Sequence, residues 1–256
     1  MTEQTSPSPE HPPFPTIRTV PPERPLLWRK LGWADLVACP GASLFYGLCF
    51  VAGGLLMVTT LGGAPEYIAA VTAGFLIGGP FLAIGLYEIS RRREQQLPCT
   101  LVATMTAWKS NASNLAIFAA VLLVIFLVWA RASLVVFALF YSGEIPTMAS
   151  FLRHVISTDH LDFLLAYFAI GGIFALIAFA ISLVSIPLMF DRGHDAVTAA
   201  IVSVRALLAN IPAMFVWAGI IALLGGIGLV TFLVGIFVVG PLLGHATWHA
   251  YRDLLE

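Results

Sequence analysis

Residues 211–243 read IPAMFVWAGIIALLGGIGLVTFLVGIFVVGPLL, thirty-three consecutive positions without a charge. A single helix of that length would measure about 50 Å, against a bilayer hydrocarbon core of about 30 Å. Extending the block to Leu207–Trp248 and breaking it at Gly225-Gly226-Ile227-Gly228 gives two helices of workable length. Whether that break exists decides between five and six membrane spans.

Working outward from this block, four more apolar runs have spanning length. They are Ser43–Leu61, Ile68–Ile89, Leu115–Tyr141 and Leu161–Phe190. The whole chain of 256 residues is 59% hydrophobic and 11% charged, with a mean hydropathy of +0.92. Soluble domains carry about 25% charged residues. The surplus apolar surface must therefore face lipid. A net charge of −1 gives no electrostatic basis for binding nucleic acid.

The distribution of basic residues favours six spans. With the N-terminus inside, the inner segments hold Arg18, Arg24, Arg29, Lys30, Arg91, Arg92, Arg93, Lys109, Arg192, Arg205 and Arg252. Only Arg131 and Arg153 fall outside, and a five-span arrangement would also send Arg252 across. Both termini are expected in the cytoplasm. Residues 1–30 contain eight of the sixteen prolines and read as a disordered, Pro-rich cytosolic tail, without the basic and apolar regions of a signal peptide. Residues 31–256 form the membrane domain.

Within that domain a short motif recurs. Gly78–Glu94 reads GGPFLAIGLYEISRRRE and Val239–Glu256 reads VGPLLGHATWHAYRDLLE. Aligned on Pro80 and Pro241, Gly79 meets Gly240, Tyr87 meets Trp248 and Arg91 meets Arg252. SIPLMFDRGHD, around Pro187, is a weaker copy. Each odd span follows an interface-grade segment: GWADLVACPGASLFYG, ATMTAWKSNASNLAIF or SVRALLANIPAMFVWAG. The expected fold is an all-α polytopic bundle of six transmembrane helices. These form three hairpins, each preceded by an interfacial helix. Pro kinks each even span near its inner end, Gly allows close packing, and the aromatic and Arg one turn later sit among headgroups.

Polar residues that could carry function are few. His245 and His249 are four apart and share a helix face, so they are the candidate metal or haem ligands. The competing reading is an imidazole pair stabilised at the wet C-terminal end of a membrane helix. His194 could join them from an inner loop, whereas a haem would need a second embedded histidine on a facing helix. Glu88 precedes three arginines and reads as an interfacial ion pair or a proton relay. Arg131, about 24 Å along the third span, snorkels or pairs with Glu144, Asp159 or Asp162; anion recognition is the alternative. STDHLD (157–162) fits an N-cap with acidic first turn, or a metal site through Asp159, His160 and Asp162. Cys39, Cys49 and Cys99 lack CxxC spacing and read as apolar fillers or free thiols. No catalytic or nucleotide-binding motif is present.

The strings LGWADLVACPGASLFYGL, GFLIGGPFLAIGLYEISRRRE and GPLLGHATWHAYRDLLE resemble DUF2189, a bacterial family of predicted integral membrane proteins. The likeness runs from about Arg24 to Glu256. Some members are labelled cytochrome c oxidase subunit I, but a haem-copper oxidase core needs far more spans, and buried histidines on facing helices. The resemblance implies association with a respiratory complex and carries over no catalytic residue. The sequence thus points to a non-catalytic accessory or assembly subunit of a larger inner-membrane complex. Alternatives are a small transporter lined by Glu88, Arg131 and His249 around a pseudo-threefold centre, or a metal- or haem-binding protein using His245 and His249. Trp248 and Arg252 complete the set of candidate functional residues.

Overall fold

The computed structural model describes residues 14–63, 68–140, 161–231 and 233–256. In chain order the helices are α1 (Arg24–Ala38), α2 (Pro40–Gly63), α3 (Ile68–Glu94), α4 (Leu101–Thr106) and α5 (Ala112–Phe140). They continue as α6 (Leu161–Ser182), α7 (Ser185–Arg192), α8 (Ala196–Ala209), α9 (Ile211–Val230) and α10 (Ile236–Leu254). A 3₁₀ segment, Ala107–Asn111, joins α4 to α5. Among the described residues the one piece of β structure is an isolated bridge between Ile17 and Leu255.

The all-helical reading holds among the described residues. A shorter helical segment stops at Cys39, Asn111 or Asn210, and a longer apolar one follows. Proline opens α2 at Pro40 and stands in the first turn of α9 at Pro212, where its missing N–H has no helical partner to lose. Asn210 secures its break from within. Its Nδ2 donates to the carbonyls of Arg18 (2.9 Å) and Ala206 (3.0 Å), and its Oδ1 accepts from the N–H of Val20 (2.7 Å).

Among the described residues four helical stretches are long and apolar enough to cross a membrane: Pro40–Thr60, Leu101–Phe140, Leu161–Arg192 and Ile211–Val230. The expected second span lies in α3. The expected sixth lies in α10, where only the first half is apolar. Its second half carries His245, His249, Arg252 and Asp253 and packs inside the protein.

Two helix breaks differ from expectation. The glycines at 225, 226 and 228 do not break the chain; α9 runs through them to Val230, and turn residues follow at 231 and 233–235. In lipid an unbroken helix satisfies its own backbone, which outweighs the low helix propensity of glycine. Of the three, Gly228 serves the turn instead, while no described atom lies within 4 Å of a Cβ built on Gly225 or Gly226. A Cβ on Gly235 would lie 2.9 Å from the Gly228 Cα, so the two residues let α10 fold back against α9. The Thr231 hydroxyl accepts from the Gly235 N–H at 3.0 Å and closes the turn. The fourth expected span, in contrast, is interrupted at Leu183–Val184 rather than merely kinked. Pro187 cannot donate back to residue 183, so it sits in the first turn of α7. Ser203 of α8 bridges the gap, accepting from the Val184 N–H (3.3 Å) and donating to the Ala180 carbonyl (2.7 Å).

Packing divides the chain into residues 1–119 with 180–256, and residues 120–179. In the first unit α1 packs chiefly on α10, and α10 also contacts α2, α3 and α9. Trp28, Trp217, Trp248 and Tyr251 are fully buried there, with Trp28 edge-on to Trp217 at 5.8 Å. The second unit is held by aromatic contacts, Phe140 on Phe163 (5.9 Å) and Phe163 on Tyr167 (5.7 Å).

Two further expectations are corrected. Residues 14–30, assigned to a disordered tail, are structured. Arg18 donates its backbone N–H to the Leu254 carbonyl (2.9 Å), Glu256 donates to Thr16 (2.9 Å), and α1 starts at Arg24. Cys39 and Cys99 are joined as a disulfide with Cα atoms 6.3 Å apart, leaving Cys49 as a free thiol. Sixty residues separate the pair, so no local spacing reveals it. The bridge packs against Ala42, Tyr46, Leu86 and Ile89.

Candidate functional site: a buried serine–histidine–aspartate chain

Asp35 is the sole carboxylate between Glu23 and Glu66 in the sequence. On α1 it shares a buried face with Trp28, Gly32 and Leu36. Gly32 is what admits that face to α10, because a Cβ there would lie 2.7 Å from the Ala246 nitrogen and 2.9 Å from the Leu242 oxygen. On the opposing helix His245 and His249 do share one face, as their spacing requires. Ser43 enters from the first turn of α2 and Ser90 from the last third of α3.

These groups form a hydrogen-bonded chain. His245 Nε2 lies 2.9 Å from Ser43 Oγ, and its Nδ1 lies 2.8 Å from Ser90 Oγ. His249 Nε2 donates to Asp35 Oδ2 at 2.8 Å, and Arg93 donates to Asp35 Oδ1. Ser90 also hydrogen-bonds Asp35. The carboxylate only accepts, so the Ser90 hydroxyl donates to it and accepts from His245 Nδ1–H. That assignment leaves Nε2 as the acceptor for the Ser43 hydroxyl. Burial pushes the Asp35 carboxyl upward. Hydrogen bonds from His249 and then Ser90 outweigh it, and the group is held below the ordinary carboxylate range.

Ser43, Ser90 and His245 are completely buried. A serine beside a histidine base is a nucleophile arrangement, and here both serines and the ring are enclosed by the described residues. What the chain can do is fix four helices in one register and hold protons at defined atoms. One end reaches the surface: the His249 side chain is 13% exposed. It lines a cleft of about 170 Å³ together with Arg24, Trp28, Arg252 and Asp253.

Around this chain the remaining candidates are engaged elsewhere. Glu88 bridges Arg91 (2.6 Å) and Arg92 (2.8 Å). Arg252 lies 3.3 Å from Glu94 and 3.9 Å from Asp191. Trp248 donates its indole N–H to Glu94 at 3.0 Å. The aligned pair Tyr87 and Trp248 stack on each other at 6.3 Å, and the guanidinium of Arg91 lies 4.8 Å over Phe190. The C-terminal parts of the helices that contain Pro80, Pro187 and Pro241 therefore meet. Gly240 allows close approach, facing the Phe50 ring. Gly79 does not need to be glycine for packing, since no described atom lies within 4 Å of a Cβ built on it.

Arg131 belongs to the second unit, is exposed, and makes no ion pair with Asp162. Glu144, Ser157, Thr158, Asp159 and His160 lie outside the described residues; Asp162 does stand in the first turn of α6. Among the described residues no three His, Cys, Asp or Glu side chains are grouped as metal ligands, and His194 is not gathered with the histidine pair. A metal at His245 would have to displace Ser43 or Ser90 from the ring, and at His249 Nε2 it would displace Asp35.

Residues 68–191 match the DUF2189 family, described as a predicted integral membrane protein, which bears out the resemblance drawn from the sequence. The matched segment covers GFLIGGPFLAIGLYEISRRRE but neither of the other two strings. No curated protein and no solved structure matches the chain.

Proposed function

We propose that this integral membrane protein is a non-catalytic accessory or assembly subunit of a larger bacterial inner-membrane complex, with both termini cytoplasmic and six spans. The observation that supports this most directly is how little of its spanning surface the chain covers. Within Pro40–Thr60 and within Ile211–Val230, 22% of the most apolar stretch is buried. Leu48, Leu55, Leu56, Phe215 and Leu223 all project outward. Lipid accounts for part of this surface, and flanking helices of partner subunits account for the rest. Asp35 and Glu94, by contrast, are engaged internally, with His249 and Arg93 and with Trp248 and Arg252. Affinity purification from native membranes in mild detergent tests the proposal. Stoichiometric co-purifying membrane subunits are expected, and a reproducibly lone protein overturns it.

One observation favours a second reading, a proton-linked transporter. The chain from His249 through Asp35, Ser90 and His245 to Ser43 is continuous from a surface cleft to a buried hydroxyl on a spanning helix. In liposomes carrying a pH-sensitive dye, this reading expects faster dissipation of a pH gradient than in protein-free vesicles. It also expects a several-fold slowing by His245→Phe. Equal rates with and without protein exclude it.

A further inference from the structure

Helix α1 presents two surfaces. One is the buried face that carries Asp35. The other bears exposed apolar residues, Leu26, Leu31, Trp33 and Val37, interleaved with Arg29 and Lys30. A helix with an apolar face, cationic residues and an exposed tryptophan suits the headgroup boundary of a bilayer. Beneath it lies a cleft of about 560 Å³, walled by Leu26 and Trp33 of α1, Leu224 of α9 and Leu242 of α10, with Arg29 and Lys30 on its rim. Other basic side chains of this region, Arg24, Arg93 and Arg252, are each paired with carboxylates. Arg29 and Lys30 have no carboxylate partner among the described residues.

The geometry points to this cleft as a binding site for an anionic glycerophospholipid from the leaflet in which α1 lies. Its two ends have different chemistry, as a lipid does. The rim offers two cations with no internal counter-charge. The cleft's apolar lining includes Leu224, in the second half of an apolar spanning-length helix, and Leu242 of α10. The volume falls in the range of small-molecule sites, enough for a headgroup and the upper part of one chain. Basic pockets between membrane helices bind acidic headgroups, and each cation near the surface strengthens such binding about fivefold.

Native mass spectrometry of the detergent-solubilised full chain, equilibrated with equal amounts of phosphatidylglycerol and phosphatidylcholine, tests the site. The wild-type protein is expected to retain phosphatidylglycerol with at least tenfold preference. The exposed double substitution Arg29→Gln with Lys30→Gln is expected to bring that preference close to unity while leaving the melting temperature in phosphatidylcholine unchanged. A wild-type protein that binds both lipids equally, or a double variant that keeps the preference, overturns the inference. Should the double variant fail to fold, Leu224→Trp leaves both cations in place and fills the apolar end. Reduced phosphatidylglycerol occupancy is then expected, and unchanged occupancy overturns the inference.

Discussion

Asp35→Ala lowers the melting temperature of the detergent-solubilised protein by about 10 °C. The carboxylate is the shared acceptor for His249 and Arg93 and hydrogen-bonds Ser90, and its own side chain is 6% exposed. Removing one member of a buried ionic network costs about 3–5 kcal/mol, because the partners are left without compensation. Arg93 is a third exposed and can turn to water, so the lower end, about 3 kcal/mol, applies here. At about 2–4 °C per kcal/mol for a chain of this size, that gives the stated shift. The effect also carries a pH signature. A carboxyl held below its ordinary value contributes stability that is fully present above the unfolded value, near 3.9, and is lost as pH falls through the lowered one. Wild-type melting should therefore drop below about pH 4. Asp35→Asn should show a shallower drop rather than none, because Asp253 and Asp195 are lowered too and titrate in the same sense. A variant melting within 2 °C of wild type with the same acid slope would show that the chain of contacts carries no stability.

The second large effect is expected at Gly47. A Cβ there would lie 2.1 Å from the Phe237 carbonyl oxygen and 3.0 Å from its carbon, both backbone atoms of α10. A flexible side chain could move aside, but a helix backbone cannot without separating α2 from α10. Overpacking usually costs about 1–3 kcal/mol, and a bulky side chain against backbone exceeds that. Gly47→Leu should leave almost no monodisperse protein in size-exclusion chromatography. Gly219→Leu, on α9 with no described atom within 4 Å of its Cβ position, should elute and melt like wild type. Equal yields for the two would refute the close approach of α2 and α10.

Much of this architecture is legible in the sequence, because lipid as a solvent imposes long apolar helices. The three interface-grade segments before Cys39, Ala112 and Asn210 are where the shorter helices form. The motif around Pro80, Pro187 and Pro241 marks chain ends that come together. The spacing of His245 and His249 correctly places both rings on one face. What they face is not legible. Asp35 and His249 are 214 positions apart, and Ser43 and His245 are 202 apart. Hydrophobic periodicity carries no information about such pairings. The one available signal was Asp35 itself, a carboxylate in an otherwise acid-free stretch of more than forty residues, whose burial would require partners. The cystine Cys39–Cys99 was hidden for the same reason. The turn follows Val230 rather than the glycines because glycine, a breaker in water, is tolerated inside a helix in lipid.

The pairing of α1 with α10 sets an order on synthesis. Residues 24–38 leave the ribosome some two hundred positions before residues 236–254, their principal partner, exist. Through that interval Asp35, Trp28 and the Gly32 seam lack the surface that buries them. The α1 face therefore closes only once residues 236–254 have been made, and residues 254–256 then clasp the strap at 16–18.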